Sequence, residues 1–431
     1  MGVLQSRLGR DYPAEPAEKQ IRDAMNLPVD SPRLEELAKG KKNIVILASD
    51  HTRPVPSKLI LPPMLRAIRE GNPESDITIL IATGCHRGTT QEELEAKFGP
   101  EIAKKERIIV HDCDLSEMTE LGTLPSGQKL LVNKLAAEAD LLVAEGFIEP
   151  HFFAGFSGGR KSVLPGIAAR KAVLGNHNGA FIADPCSRTG ILKGNRIHED
   201  MVFAAKAAGL AFIVNIVLNA EHEVVCAVAG DPVKAHEKGC DFLRKYCTVK
   251  LPSARSGGSS GGGIFENREQ SCSRPQGNDS AFADIVITSN GGYPLDQNVY
   301  QAVKGMTGAE AAVRQDGVII MASECGDGCG GEVFYRTFRD HKDPAALMEA
   351  FAATPAEETI VDQWQSQIFA RVLKRARIVF ISEMPDEIVR DFHMIPAHSL
   401  EEALRIADSL TGNFDGSITV IPDGVGVIVE T

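Results

Sequence analysis

The chain has 431 residues, 43% of them hydrophobic and 24% charged, with a net charge of −12. That length leaves room for two or three domains with full hydrophobic cores, in the composition of an ordinary soluble globular protein. The acidic balance argues against a nucleic-acid or anionic-membrane binder, which needs a basic face, but not against a small anion held in a locally basic pocket.

No apolar run reaches the ~18 residues needed to span a bilayer. The N-terminus, Met1 to Asp11, lacks a secretory apolar core, so a cytoplasmic location is expected. Nine cysteines are scattered, an odd count that fits reduced thiols. The one tight pair, Cys325 and Cys329, reads as a glycine-rich turn or a weak metal or redox motif.

Along the chain, short apolar, β-branched runs alternate with helical patterns. Strands are expected over 43–48, 77–82, 107–111, 140–144, 211–218, 284–288, 317–321, 377–381 and 417–421. Helices are expected over 57–70, 91–97, 130–138, 233–246, 297–313, 344–353 and 400–410. Near-continuous apolar strands separated by helices imply sheets covered on both faces. The fold class is therefore α/β, with two domains of mostly parallel sheet and an active-site cleft between them. A Gly/Ser-rich stretch marks the boundary. The expected division is 1–252, an insertion or linker at 253–282, then 283–408. A final piece, 409–431, is free to pack back on either domain, the N-terminal one included.

Ligands of open α/β sheets sit outside the carboxyl ends of strands. Four strand ends deliver polar groups there: Asp50-His51-Thr52-Arg53, Gly84-Cys85-His86-Arg87, Glu145 to His151, and Asn290-Gly-Gly-Tyr293. Asp50 suits a helix cap, or the holding of a ligand hydroxyl or of Arg53, and Arg53 suits a carboxylate. His86 either satisfies a turn or moves protons. His151, stiffened by Pro150 and flanked by Phe152, Phe153 and Phe156, is a packed core residue or a desolvated base. Lys161 follows Ser157-Gly158-Gly159-Arg160. The P-loop pattern fails because Arg160 stands where glycine is required, which leaves a nucleophilic or modified lysine beside a second cation. His177, between Asn176 and Asn178, is a possible single metal ligand. Tyr300, Gln301 and Lys304 lie at helical spacing, a solvated face or an oxyanion site. Trp364 is core or a stacking platform.

Together these segments resemble the nickel-dependent lactate racemase family, the 2-hydroxyacid racemases and epimerases that use a nickel-pincer nucleotide. The likeness runs from Asp50-His-Thr-Arg-Pro through Ala-Thr-Gly-Cys-His86-Arg and Glu-Pro-His151-Phe-Phe-Ala-Gly-Phe-Ser-Gly-Gly-Arg-Lys161-Ser. It continues through Asn-His177-Asn, Tyr300-Gln301-Ala-Val-Lys304 and Trp364-Gln. The resemblance implies that Lys161 anchors the cofactor covalently and that His177 ligates its nickel. It implies that His86 and His151 are the acid/base pair, and that Arg53, Gln301 and Lys304 orient the substrate. It places Asp50, Tyr300, Trp364 and the segment Ser157, Gly158 and Gly159 around the cofactor.

The implied chemistry is inversion at C2 by proton-coupled hydride transfer through a 2-keto acid. The implied partners are a small 2-hydroxy acid and the enzymes that build the cofactor, with neither nucleic acid nor membrane. Two enantiomers present their hydroxyls on opposite sides, so two proton-transfer groups are needed. Cys85, and basic residues such as His51 or Arg87 that could meet a second polar group, bear on substrate choice. A non-catalytic cofactor-holding homologue, or a hydride-transfer dehydrogenase, is the alternative; the second lacks a GxGxxG turn.

Overall fold

The computed structural model describes residues 1–9, 12, 15–251, 281–412 and 416–430. The Gly/Ser-rich stretch expected as a linker therefore lies almost wholly outside the described residues. No helix among the described residues is long and apolar enough to cross a membrane.

Two six-stranded sheets organise the chain. The first runs in the order Val224–Gly230, Leu210–Leu218, Leu141–Phe147, Asn43–Ser49, Asp76–Ala82, Arg107–Val110. Its pairs are parallel except that Val224–Gly230 runs antiparallel to its neighbour. The second sheet is parallel throughout, in the order Gly2–Val3, Ile418–Ile421, Ala283–Ser289, Val313–Ala322, Ala376–Ile381, Ile395–Ala397. This is the expected α/β architecture.

Side-chain alternation explains why both faces of each sheet are dry. In Asn43–Ser49, Val45 and Leu47 join one apolar cluster, while Ile44, Ile46 and Ala48 join another on the opposite face. In the second sheet Ile319 and Met321 face the larger cluster, and Val318 and Ile320 face a third. Each such side chain contributes about 1.5–3 kcal/mol when fully buried. The larger cluster holds residues of both sheets, so one continuous core joins them.

The two ends of the chain tie the halves together. Gly2–Val3 pairs with Ile418–Ile421 at the edge of the second sheet, and Ile428–Glu430 pairs with Thr248–Lys250, which follows the first. Between these strands, Gly424 packs on the helix Val299–Ala312. A Cβ on Gly308 would lie 2.4 Å from the Gly424 carbonyl oxygen, and one on Gly424 would lie 2.4 Å from that of Gly305. Only glycine permits that approach.

One expected helix is corrected. Residues 130–138 divide into the strand Lys129–Asn133 and the short helix Lys134–Ala137. The strand pairs antiparallel with Met118–Thr123. A short apolar run such as Leu130-Leu-Val132 suits either state, and hairpin pairing decides it. The expected uniformity of reduced thiols is also corrected: among the described residues seven cysteines are free, whereas Cys186 is disulfide-bonded. The Cys325 carbonyl accepts from Gly328 N at 2.8 Å, closing the glycine-rich turn.

Candidate active site

Asp50 opens the loop that follows Asn43–Ser49. Its Oδ1 accepts from Thr52 N at 3.1 Å and Thr52 Oγ1 at 2.6 Å, which folds the turn on itself. Its Oδ2 lies 2.6 Å from His86 Nδ1. Within the chain, Asp50 is thus hydrogen-bonded to a histidine, while Arg53 acts on it through charge. Burial pushes the carboxyl up, but the His86 and Thr52 bonds and the Arg53 charge outweigh it and hold it at about 2. Asp50 is therefore ionised, and its Oδ2 takes the Nδ1 hydrogen of His86. That leaves the Nε2 lone pair of a half-exposed imidazole available.

The loop rests on a buried support. Glu145 accepts from Ser49 N, Ser49 Oγ and Ser57 Oγ at 2.9, 3.1 and 3.1 Å, and Lys97 Nζ donates to the Arg53 carbonyl at 3.2 Å. After His86, Thr90 caps Gln91–Phe98 through a reciprocal bond with Glu93. Arg87 grips the same Glu93 at 2.9 and 2.5 Å, and His51 Nδ1 lies 3.2 Å from Thr89 Oγ1. Both basic residues are thereby engaged within the chain. Burial, followed by Cys113, pushes the Cys85 thiol up to about 12, which keeps it protonated.

The segment after Leu141–Phe147 carries His151 and Lys161. Glu149 and Ser157 bond twice through their main chains and the Ser157 hydroxyl, which also donates to the Phe147 carbonyl at 3.1 Å. Gly159 N donates to Asn215 Oδ1 at 2.7 Å. A Cβ on Gly158 would lie 2.7 Å from the Phe147 carbonyl oxygen, and one on Gly159 would lie 2.8 Å from the His236 ring. Ser157, Gly158 and Gly159 thus shape the loop against the protein's own atoms.

Lys161 Nζ lies 3.2 Å from His151 Nε2. His151 Nδ1 accepts from Ala154 N at 3.3 Å. A neutral imidazole carries one hydrogen, so with Nδ1 accepting, that hydrogen is on Nε2 and the Lys161 amine must accept it. Electrostatics agree. Burial, then Arg160 and Arg53, pushes Lys161 well below the usual lysine range. Burial, then Lys161 and Lys304, does the same to His151. The shift favours the unprotonated amine, the form that can be acylated. His151 stacks on Phe152 at 5.0 Å and meets Phe153 edge-on at 4.5 Å.

His177 meets the same Phe153 ring edge-on, at 5.0 Å from Phe153 between ring centres, and it also meets Trp364 at 5.1 Å and 72°. Trp364 therefore meets the imidazole in a T-shaped contact, partly buried against the core. His177 Nδ1 is buried and has no hydrogen-bond partner. Burial above all holds the imidazole at about 3, hence neutral. A buried imidazole nitrogen without a donor or acceptor is costly unless something binds it.

The second sheet contributes the helix Val299–Ala312, capped by Asn298 on Gln301 N at 2.9 Å. Tyr300 donates to Asp362 at 2.9 Å. Gln301 Oε1 is buried without a partner. Burial, then Arg53, lowers Lys304 to about 8. Burial pushes the Glu149 carboxyl up, against the charges of Arg53 and Lys304. Sequence reasoning passed over Glu149 because it sits inside the motif as a spacer before His151. It passed over Glu145 and Lys97 because their contacts lie 96 and 44 residues away in sequence. Among the described residues, no hydrogen bond joins the Asp50–His86 pair to the His151–Lys161 pair.

Fold and side chains together define an α/β protein in which buried imidazoles lie among the basic side chains of Arg53, Lys161 and Lys304. Residues 2–190 match the family model of the lactate racemase N-terminal domain, and residues 278–429 match that of the C-terminal domain. A lactate racemase of Thermoanaerobacterium thermosaccharolyticum is 52% identical over 432 residues, covering all of this chain and 94% of that protein. One of Lactiplantibacillus plantarum is 47% identical over 431 residues, covering 100% and 95%. The solved lactate racemase apoprotein from T. thermosaccharolyticum matches with a TM-score of 0.90 at 50% identity, covering 100% of this chain and 95% of that one. A solved Thermotoga maritima protein shares the fold at a TM-score of 0.63 and 19% identity, covering 96% and 98%. The chain belongs to the lactate racemase family and is an isomerase.

Proposed function

We propose that this chain interconverts the enantiomers of lactate, or of a closely related small 2-hydroxy acid, with a nickel-pincer nucleotide held on Lys161. The observation that carries the reading is the buried Lys161 amine, 3.2 Å from His151 Nε2, with the orphaned Nδ1 of His177, whose ring also packs on Phe153. Those groups fit the cofactor: an amine able to form an amide-type bond, and a neutral buried imidazole able to ligate a borderline metal ion. Ser157, Gly158, Gly159, Asp50, Tyr300 and Trp364 complete its surroundings in this reading. When bound, the nucleotide supplies a reversible acceptor for the C2 hydrogen with its electron pair, so a carbanion is avoided.

The chain's own residues do the rest. Arg53 and Lys304 hold the substrate carboxylate, which suits charge-assisted bonds in a partly desolvated site. Gln301 Oε1, unsatisfied in the fold, accepts a substrate hydrogen. His86, held at Nδ1 by Asp50, presents the Nε2 lone pair to a hydroxyl proton. His151, kept neutral by burial, is the second proton-transfer group. One proton is taken and one returned per inversion, and the planar 2-keto acid stays bound between the two steps. Arg87 is tied to Glu93, which favours a substrate without a second carboxylate.

The reading implies maturation by cofactor-building enzymes. The test is to incubate cofactor-loaded enzyme with L-lactate in deuterium oxide and follow products by chiral chromatography and mass spectrometry. D-lactate that keeps protium at C2 is expected. Failure to invert any small 2-hydroxy acid would overturn the racemase reading, and solvent deuterium at C2 would overturn the hydride route.

A further inference from the structure

Arg160 is 1% exposed and heads the largest fully buried side chains of the protein. Burying a guanidinium is costly unless its donors are all satisfied, and a carboxylate usually answers it. Here Nη2 donates to the Ala154 carbonyl at 2.8 Å, and Nη1 reaches the Ser157 and Gly158 carbonyls at 3.3 and 3.2 Å. Nε donates to His198 Nδ1 at 3.0 Å. His236 Nε2 lies 2.9 Å from Nη1 and 2.8 Å from the Ser157 carbonyl oxygen. Among the described residues, no carboxylate pairs with Arg160. Three of its acceptors are main-chain oxygens of the loop between His151 and Lys161. A planar fork can grip several carbonyls of one loop at fixed angles, which an ammonium cannot.

Ala154 is the link to the chemistry. It is held from both ends: its carbonyl by Arg160, and its N–H directed at His151 Nδ1 at 3.3 Å. A donor fixed at Nδ1 forces the imidazole hydrogen onto Nε2, the atom that faces Lys161 Nζ. We propose that, in the apoprotein, Arg160 is a positioning residue that, through Ala154, sets His151 as its Nε2–H tautomer and presents the free Lys161 amine with a hydrogen-bond donor. The hydrophobic face of His151 cannot do this, because ring contacts to Phe152 and Phe153 do not distinguish the two nitrogens.

The catalytic meaning of this device rests on the proposed roles of His151 and Lys161, but its existence does not. The test is made on full-length apoprotein with 15N-labelled histidine. Long-range 1H–15N correlation spectra distinguish the tautomers, and His151→Gln identifies the His151 signals. Wild type is expected to show the Nε2–H pattern at neutral pH. Arg160→Met, and Arg160→Lys with its charge but no fork, are expected to lose it to the Nδ1–H or averaged pattern, with circular dichroism unchanged. An Nδ1–H pattern in wild type overturns the proposal, as does a folded Arg160→Met or Arg160→Lys that keeps Nε2–H. The wild-type spectrum alone decides the first point even where a variant does not fold. A negative result here leaves the racemase reading standing, and absent racemisation leaves the tautomer result standing.

Discussion

Asp50 Oδ2 lies 2.6 Å from His86 Nδ1 across 36 residues of sequence, joining the ends of two neighbouring parallel strands. Because the carboxylate is 2% exposed and already bonded to Thr52, it cannot turn away to water. It orients the imidazole and settles its tautomer, as a carboxylate does for a general base elsewhere.

Asp50→Asn tests this. An amide can offer its oxygen to Nδ1–H but supplies no charge, so turnover falls by roughly 10²-fold or more if His86 is a proton-transfer group. Stability follows from linkage. The folded carboxyl is held at about 2, below its usual 3.8. Its contribution is complete above pH 3.8, and is lost as pH falls from there through about 2. About 2 kcal/mol is at stake. Denaturant unfolding at pH 7 and pH 2 should show the wild-type advantage over Asp50→Asn at pH 7 only. An equal difference at both pH values contradicts the assignment.

His177→Ala is expected to abolish nickel retention while leaving the apoprotein folded, because the lost Nδ1 made no hydrogen bond. Nickel content by mass spectrometry after maturation, against the melting temperature of the apoprotein, reads both. His177 also adds pH dependence. Its folded value near 3 is below the ordinary 6.5, so its contribution is full above 6.5 and is lost as pH falls toward 3.

Arg53→Lys should raise KM for lactate by roughly 10-fold or more, through loss of bidentate geometry with charge retained. Arg87→Ala should leave KM within about 2-fold, since Arg87 is spent on Glu93. Steady-state kinetics of the loaded enzyme checks the pair, and the reverse pattern would reassign the carboxylate site.

Gly308→Ala places a methyl group 2.4 Å from the Gly424 carbonyl oxygen. A cost of about 1–3 kcal/mol is expected from the displaced loop. The same helix carries Gln301 and Lys304, so KM should rise along with the loss in unfolding free energy. A neutral Gly308→Ala in both assays would show that the loop yields freely.

The α/β class, the alternating strands and the strand-end placement of Asp50, His86 and His151 were legible in the sequence. They depend on local periodicity, and on the rule that such loops share one edge of a sheet. The resemblance named the remaining site residues. What it could not say is who holds whom. Nothing local in Asp-His-Thr-Arg makes His86 rather than Arg53 the partner of Asp50, and nothing in Gly-Gly-Arg-Lys shows that Arg160 turns inward. The 130–138 run reads equally as helix or strand until Met118–Thr123 pairs with it. The sequence by itself determined which groups are present and how each short segment prefers to run. Only the tertiary structure decided which buried donors meet which acceptors, because those bonds close only once distant segments have left water together.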